Sequence, residues 1–135
     1  MSLANQLKNH NQTIVYFYPK DDTPGCTIEA KDFSTYYDIF LKHDIGIVGI
    51  SRDTEASHCD FIEKHGLTIP LISDTDLILH KQFWTRGEKN NYGKIIQGVI
   101  RSTFLLDKSG NTLKERRNVK ATGHVEKIMK ELGIK

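Results

Sequence analysis

Apolar and polar positions change rhythm several times along the chain. Ile14, Val15, Tyr16, Phe17 and Tyr18 form a short apolar run, which predicts a buried strand over Thr13 to Tyr18. Phe33, Tyr36, Tyr37, Phe40 and Leu41 then recur at helical spacing. They predict a helix from about Pro24 to His43 with one stripe facing a sheet. Ile45 to Ser51 is a continuous apolar run of strand length, the pattern of a central parallel strand. A second helix is expected over Thr54 to His65, stopped by Gly66, and a third opens at Asp74 or Thr75 and runs through Leu77, Ile78 and Phe83. The polar, Gly-rich segment Gly87 to Gly98 reads as a loop or irregular hairpin. Val99 to Leu106 and Thr112 to Val119 flank Asp107-Lys108-Ser109-Gly110-Asn111, a hairpin signal. Val125, Ile128, Met129 and Leu132 share one face of a last helix, and Asn5 to Asn11 is a polar lead-in, a short helix or loop. Pattern alone predicts an α/β sandwich of helices on a sheet.

Composition narrows the class. At 135 residues the chain is long enough for one core and too short for two, so one domain is expected over 1–135. A net charge of +2 is too mild for a nucleic-acid binder, and Lys114, Arg116 and Arg117 read as a solvated strand surface. No segment approaches the ~20 apolar residues that span a bilayer, and Met1 to Gln12 lacks the apolar stretch of a signal peptide. Two cysteines make no disulfide framework, which suits a reducing compartment. The expectation is a cytoplasmic protein without membrane or nucleic-acid partners.

Candidate chemistry concentrates in Pro19-Lys20-Asp21-Asp22-Thr23-Pro24-Gly25-Cys26. This segment joins the first strand to the first long helix, so Cys26 falls in the helix's first turn. Unpaired backbone N–H groups gather partial positive charge there and favour a thiolate. Thr23 is a good N-cap, its oxygen expected to accept from a backbone N–H two or three residues on. Pro24 suits the first helical position, and Gly25 lets the backbone pass close to a small ligand. A small, half-buried cysteine at an ordinary capped helix start is the competing reading.

The run Val15 to Thr27 closely resembles the active-site segment of peroxiredoxins, in particular the peroxiredoxin Q or bacterioferritin comigratory protein subfamily. The Pro-x-x-x-Thr-x-x-Cys pattern stands here as Pro19, Thr23 and Cys26. Gly49-Ile50-Ser51-Arg52-Asp53, Pro70-Leu71-Ile72-Ser73-Asp74, Tyr92-Gly93-Lys94, Arg101-Ser102-Thr103-Phe104-Leu105 and Val119-Lys120-Ala121-Thr122-Gly123-His124 extend the resemblance in order. It implies a thioredoxin-like fold with a central mixed sheet flanked by helices. It also implies a thiol-dependent peroxidase that reduces hydrogen peroxide and organic hydroperoxides, recycled by thioredoxin or a similar thiol donor. No metal, haem or flavin is implied. A monomer or weak dimer is expected.

By the same resemblance Cys26 is the peroxidatic nucleophile and Arg101 the cation beside it. Thr23 holds the peroxide oxygens together with the Cys26 backbone N–H, and Pro19 packs over the thiolate. Glu29 either orients Arg101 or serves as a favourable first-turn acid. Many subfamily members carry a resolving cysteine five positions after the peroxidatic one, where this chain has Lys31. Others carry it in the next helix, near the position of Ile62. Here Cys59 stands one turn before Ile62, and two readings stay open: a resolving cysteine, or a core cysteine sharing a buried face with Ala56 and Ile62. Family members also carry an N-terminal hairpin before the active-site strand. Its absence here leads us to expect a bare sheet edge or core patch, which invites association.

Two rival functions compete. One is a non-catalytic redox-responsive or interaction protein with a compromised N-terminus. The other uses Cys26 for acyl transfer, although no histidine is placed by sequence as its base. His58 beside Cys59 lacks a second ligand pair at zinc spacing, and no Cys-x-x-Cys or phosphate-binding glycine loop is present.

Overall fold

A computed structural model describes residues 3–83, 85–91, 94–117 and 119–134, with side chains left aside for 86–91 and 94–98. The order of elements is α1 (Leu3–Lys8), β1 (Gln12–Phe17), α2 (Pro24–Lys42), β2 (Ile45–Ser51), α3 (Glu55–His65), β3 (Leu71–Ser73), α4 (Ile78–Gln82), β4 (Arg86–Asn91), β5 (Lys94–Val99), β6 (Ser102–Asp107), β7 (Thr112–Arg117) and α5 (His124–Glu131). Five strands form one sheet in the order β3-β2-β1-β6-β7. β1 pairs in parallel with β2, and β2 with β3, whereas β6 runs antiparallel to both β1 and β7. The sheet is mixed, as expected. β4 and β5 form a separate antiparallel hairpin, the irregular hairpin expected over Gly87 to Gly98; Tyr92 and Gly93 of the matched Tyr92-Gly93-Lys94 segment lie outside the described residues.

Alternation along β1 divides the core in two. Ile14, Tyr16 and Tyr18 meet Phe33 and Phe40 of α2, Phe61 of α3, and Val125, Ile128 and Met129 of α5. Val15 and Phe17 point the other way, into a cluster with Leu7 of α1, Ile72, Phe104 and Leu106, against which Leu79 of α4 packs. Helices therefore cover both faces, and β1 is buried on each, which explains its uninterrupted apolar run. Each large side chain buried here contributes about 1.5–3 kcal/mol. Tyr16 stacks on Phe33 with ring centroids 4.6 Å apart. Its ring crosses Gly49, its register partner on β2, where a Cβ would meet the Tyr16 ring and Leu71 at 2.8 Å.

Three expectations need correction. β3 was not foreseen, because three residues after Pro70 are too short to show a period. The third helix opens at Ile78 rather than at Asp74 or Thr75. Asp74 still acts as its cap from upstream, its carboxylate accepting from the backbone N–H of Leu79 at 3.2 Å and of His80 at 2.9 Å. The apolar run from Val99 is split: Val99 ends β5 opposite Arg86, and β6 begins only at Ser102. Ile100 and Arg101 occupy the junction, with the Ile100 N–H on the carbonyl of Thr85 at 2.6 Å and the Arg101 carbonyl receiving the N–H of Val119 at 3.0 Å. That break lets the Arg101 side chain leave the strand register.

β7 is an edge strand of the sheet and is exposed along its whole length. Its side chains include Lys114, Glu115, Arg116 and Arg117, and charge on an edge strand opposes strand-to-strand association. As expected of a solvated surface, Arg116 pairs with Glu131 and Arg117 with Glu115. No described helix is long and apolar enough to cross a membrane.

Candidate active site

β1 delivers the chain to the C-terminal edge of the sheet, and residues 18–23 turn it back into α2. Thr23 takes extended backbone angles and Pro24 occupies the first helical turn, where its missing donor costs nothing. Cys26 then lies in that first turn, 2% exposed. Thr23 departs from its expected capping role. Its hydroxyl makes no cap bond and instead donates to the carbonyl of Lys20 at 2.8 Å, tightening the turn. Its own carbonyl accepts from the Thr27 N–H at 2.8 Å, the first bond of the helix.

Arg101 arrives from the β5–β6 junction. Its Nη2 donates to the Cys26 sulfur at 3.2 Å, and its Nη1 donates to Glu29 Oε1 at 2.6 Å. Residues far apart in sequence thus form a line of carboxylate, guanidinium and sulfur. Glu29 is wholly buried, and its Oε2 has no hydrogen-bond partner among the described residues. Burial pushes its carboxyl up to about 7, against the pull of the Arg101 guanidinium. Glu29 is therefore tied to Arg101 rather than left as a solvated first-turn acid. Gly25 has a different use from the one expected: a Cβ there would sit 3.2 Å from Arg101 Nη2, so the missing side chain makes room for the guanidinium. Pro19 lies half-buried in the turn before Thr23.

Cys59 is not a core cysteine. It is exposed, as is Ala56, while the buried face of α3 carries His58 and Phe61. The face shared by Ala56, Cys59 and Ile62 is not the buried one: the two large apolar residues of α3, Phe61 and Ile62, are adjacent, and the buried His58 settles which side turns inward.

With this geometry in place, comparison with known proteins decides the family. The chain matches the AhpC/TSA family over residues 1–114. It belongs to that family. Peroxiredoxin Bcp of Xanthomonas campestris is 44% identical over 119 residues, covering 88% of this chain and 74% of the relative. Peroxiredoxin Bcp of Bacillus subtilis is likewise 44% identical over 119 residues, covering 88% and 76%. Among solved structures, the Xanthomonas campestris bacterioferritin comigratory protein, studied for alkyl peroxide reduction, superposes with a TM-score of 0.86 at 41% identity, covering 96% of this chain and 82% of that one. PrxQ of Xylella fastidiosa gives a TM-score of 0.88 at 37% identity, covering 98% and 81%. The AhpC/TSA chain described here is a thiol-dependent peroxidase with a thioredoxin-like fold, acting on a peroxide with a thiol as reductant.

Two buried histidines of this peroxiredoxin make contacts that the sequence did not indicate. His58 Nδ1 lies 2.7 Å from Asp21 Oδ2, and its Nε2 lies 3.1 Å from the carbonyl of Ile72. Both oxygens only accept, so both ring nitrogens carry protons and the ring is cationic. The Asp21 carboxylate accordingly raises His58 against the cost of its burial, and Asp21 is drawn down by His58 and Tyr18 despite its own burial. No local spacing links these residues. Tyr18 and Asp21, three apart in the turn, are joined locally: the Tyr18 hydroxyl donates to Asp21 Oδ1 at 2.6 Å.

The second is His124, buried beside Arg101 and 2.7 Å from the Thr103 hydroxyl. Burial first, then the Arg101 charge, pushes it down to about 4. An unfolded chain protonates this histidine near ~6.5. Below that pH the unfolded state binds a proton that the folded state refuses, so the His124 contribution is intact above ~6.5 and is lost as pH falls toward 4. Denaturant unfolding at pH 7.5 and 4.5 should show the wild type losing up to about 3 kcal/mol more on acidification than His124→Gln. Equal losses would contradict this assignment.

Proposed function

We propose that Cys26 is the nucleophile that reduces hydrogen peroxide and alkyl hydroperoxides, working within a single domain spanning 1–135. The observation that carries this reading is the 3.2 Å bond from Arg101 Nη2 to the Cys26 sulfur at the start of α2. A fixed cation and a helix N-terminus together stabilise negative charge on sulfur. The thiolate attacks the nearer peroxide oxygen, an S–O bond forms and the O–O bond breaks. Cys26 becomes a sulfenic acid, and the leaving alkoxide or hydroxide takes up a proton. Thr23 has already given its hydroxyl proton to Lys20, so its oxygen offers only lone pairs, the group needed to accept the hydroperoxide O–H. Arg101 and the Cys26 backbone N–H meet the charge developing on the oxygens. Pro19 keeps bulk water from the sulfur, and Glu29 positions Arg101 from behind.

Thioredoxin or a similar thiol donor returns the enzyme to its reduced form, in the cytoplasm, with the protein acting as a monomer or weak dimer. The alkyl peroxide reduction studied in the Xanthomonas structure supports the substrate class. For recovery, Cys59 is the resolving thiol. Its exposure on α3 supports this, since a thiol on the surface is free to move and to meet an external reductant. Intact mass after one equivalent of peroxide tests the reading. The wild type should end two hydrogens lighter and Cys59→Ser one oxygen heavier; a wild type that stops at the oxygen adduct would end the resolving role and leave a one-cysteine cycle.

A further inference from the structure

Both carboxylates of Asp21-Asp22 are spent on α3. Asp21 Oδ2 accepts from His58 Nδ1 at 2.7 Å and from the Ser57 hydroxyl at 2.8 Å, while Oδ1 takes the Tyr18 hydroxyl. Asp22 accepts from Lys64 Nζ at 2.6 Å and His65 Nε2 at 2.8 Å. The turn that precedes Cys26 is thereby fastened near both ends of the helix that carries Cys59. The two fastenings differ in strength. Asp22 and Lys64 are solvent-exposed, where an ion pair is worth little. Asp21 and His58 are buried at 7% and 3% exposure and fully hydrogen-bonded, where breaking the pair costs much more.

Cys26 is enclosed, and Cys59 lies on the outer face of α3. A disulfide needs the two Cα atoms within about 7 Å and the Cβ atoms turned toward each other. An outward sulfur reaches a buried one only if the start of α3 turns or unwinds. His58 is the residue adjacent to Cys59, so that motion pulls it off Asp21.

We propose that His58, through its bond to Asp21, is a positioning residue that sets how fast Cys59 reaches oxidised Cys26. This rests on the resolving role of Cys59. In the step concerned, the Cys59 thiolate attacks the sulfenic sulfur, the S–S bond forms as the S–O bond breaks, and the departing hydroxide is protonated to water. The closed fastening holds α3 against the turn through Asp21, apart from the bonds that Arg101 makes to Cys26 and Glu29. It also delays recovery, which exposes the sulfenic acid to a second peroxide and the sulfinic state.

The test follows reduced full-length protein mixed with one equivalent of hydrogen peroxide, acid-quenched at intervals and read by intact mass and thiol labelling. His58→Gln should turn the oxygen adduct into disulfide about tenfold faster, with peroxide attack changed less than about twofold. Asp21→Asn should accelerate the same step, and the double variant should gain no more than either single one, because both remove one interaction. Ser57→Ala, a milder change for the case in which His58→Gln does not fold, should accelerate it less but in the same direction. Disulfide formation that is unchanged or slower in these variants, while the wild type forms the bridge, overturns the role of His58 alone. A wild type that forms no bridge overturns the resolving role of Cys59 and this inference with it.

Discussion

Cys26→Ser is expected to lose peroxide-dependent NADPH oxidation, coupled through thioredoxin and thioredoxin reductase, by roughly 10⁴-fold or more. The size follows from the chemistry. The serine hydroxyl is far less acidic than a thiol, and among the described residues the side chain hydrogen-bonded to position 26 is a guanidinium, which cannot activate it as a base. Arg101 only donates, and the buried His124 is bonded to Thr103 rather than to the cysteine. The substitution removes one soft atom from a buried position and leaves Arg101 held by Glu29. Stability should change little, so loss of activity will not report unfolding. Wild-type turnover in Cys26→Ser would transfer the nucleophile to another group. No turnover in wild type with thioredoxin, but turnover with a small dithiol, would remove thioredoxin as the donor and keep the peroxidase.

Wild-type turnover and the surroundings of the sulfur separate the rival readings. A protein that only senses peroxide would oxidise Cys26 once and stop, consuming no more than one equivalent. Acyl transfer requires a base beside the sulfur, and among the described residues the polar side chain hydrogen-bonded to Cys26 is the guanidinium of Arg101. A guanidinium holds its proton across the physiological range and cannot act as that base.

What could be read from sequence follows the range of each interaction. The strand Ile14 to Tyr18, the stripe on α2 and the stop at Gly66 are local patterns, and the structure has them within a residue or two. Thr23, Pro24 and Cys26 were placed correctly because a capped helix start is also local, although the Thr23 hydroxyl found a nearer carbonyl to serve. Arg101 needed the family resemblance, since a strand junction brings it to Cys26 and no periodicity records that. The pairing of Asp21 with His58 was invisible for the same reason: Asp21 lies in the matched segment, but nothing in the resemblance joins it to His58. Cys59 was ambiguous because an 11-residue helix with two adjacent apolar positions fixes its buried face poorly. A buried, charged histidine made the choice, and a pattern of apolar residues cannot anticipate that.

Arg101→Met should lower the rate of peroxide attack about 10²- to 10³-fold, the usual cost of losing a donor aimed at developing charge. It should also destabilise the fold by about 1–3 kcal/mol, because the buried Glu29 carboxyl, already pushed up to about 7, loses its partner and is protonated without one. The two effects are separable. In Arg101→Met combined with Glu29→Leu, the unpartnered buried acid is replaced by an apolar group, so most of the lost stability should return, as read by denaturant unfolding. Activity should not return, since the donor to the sulfur is still missing. Glu29→Gln alone should keep the fold and much of the donor geometry, because an amide oxygen still accepts from Arg101 Nη1. Its effect should therefore fall well short of that of Arg101→Met, in line with a group that holds Arg101 in place without touching the reacting atoms. If the double variant recovers activity together with stability, Arg101 acts through the fold alone, and the charge facing the peroxide must come from the start of α2.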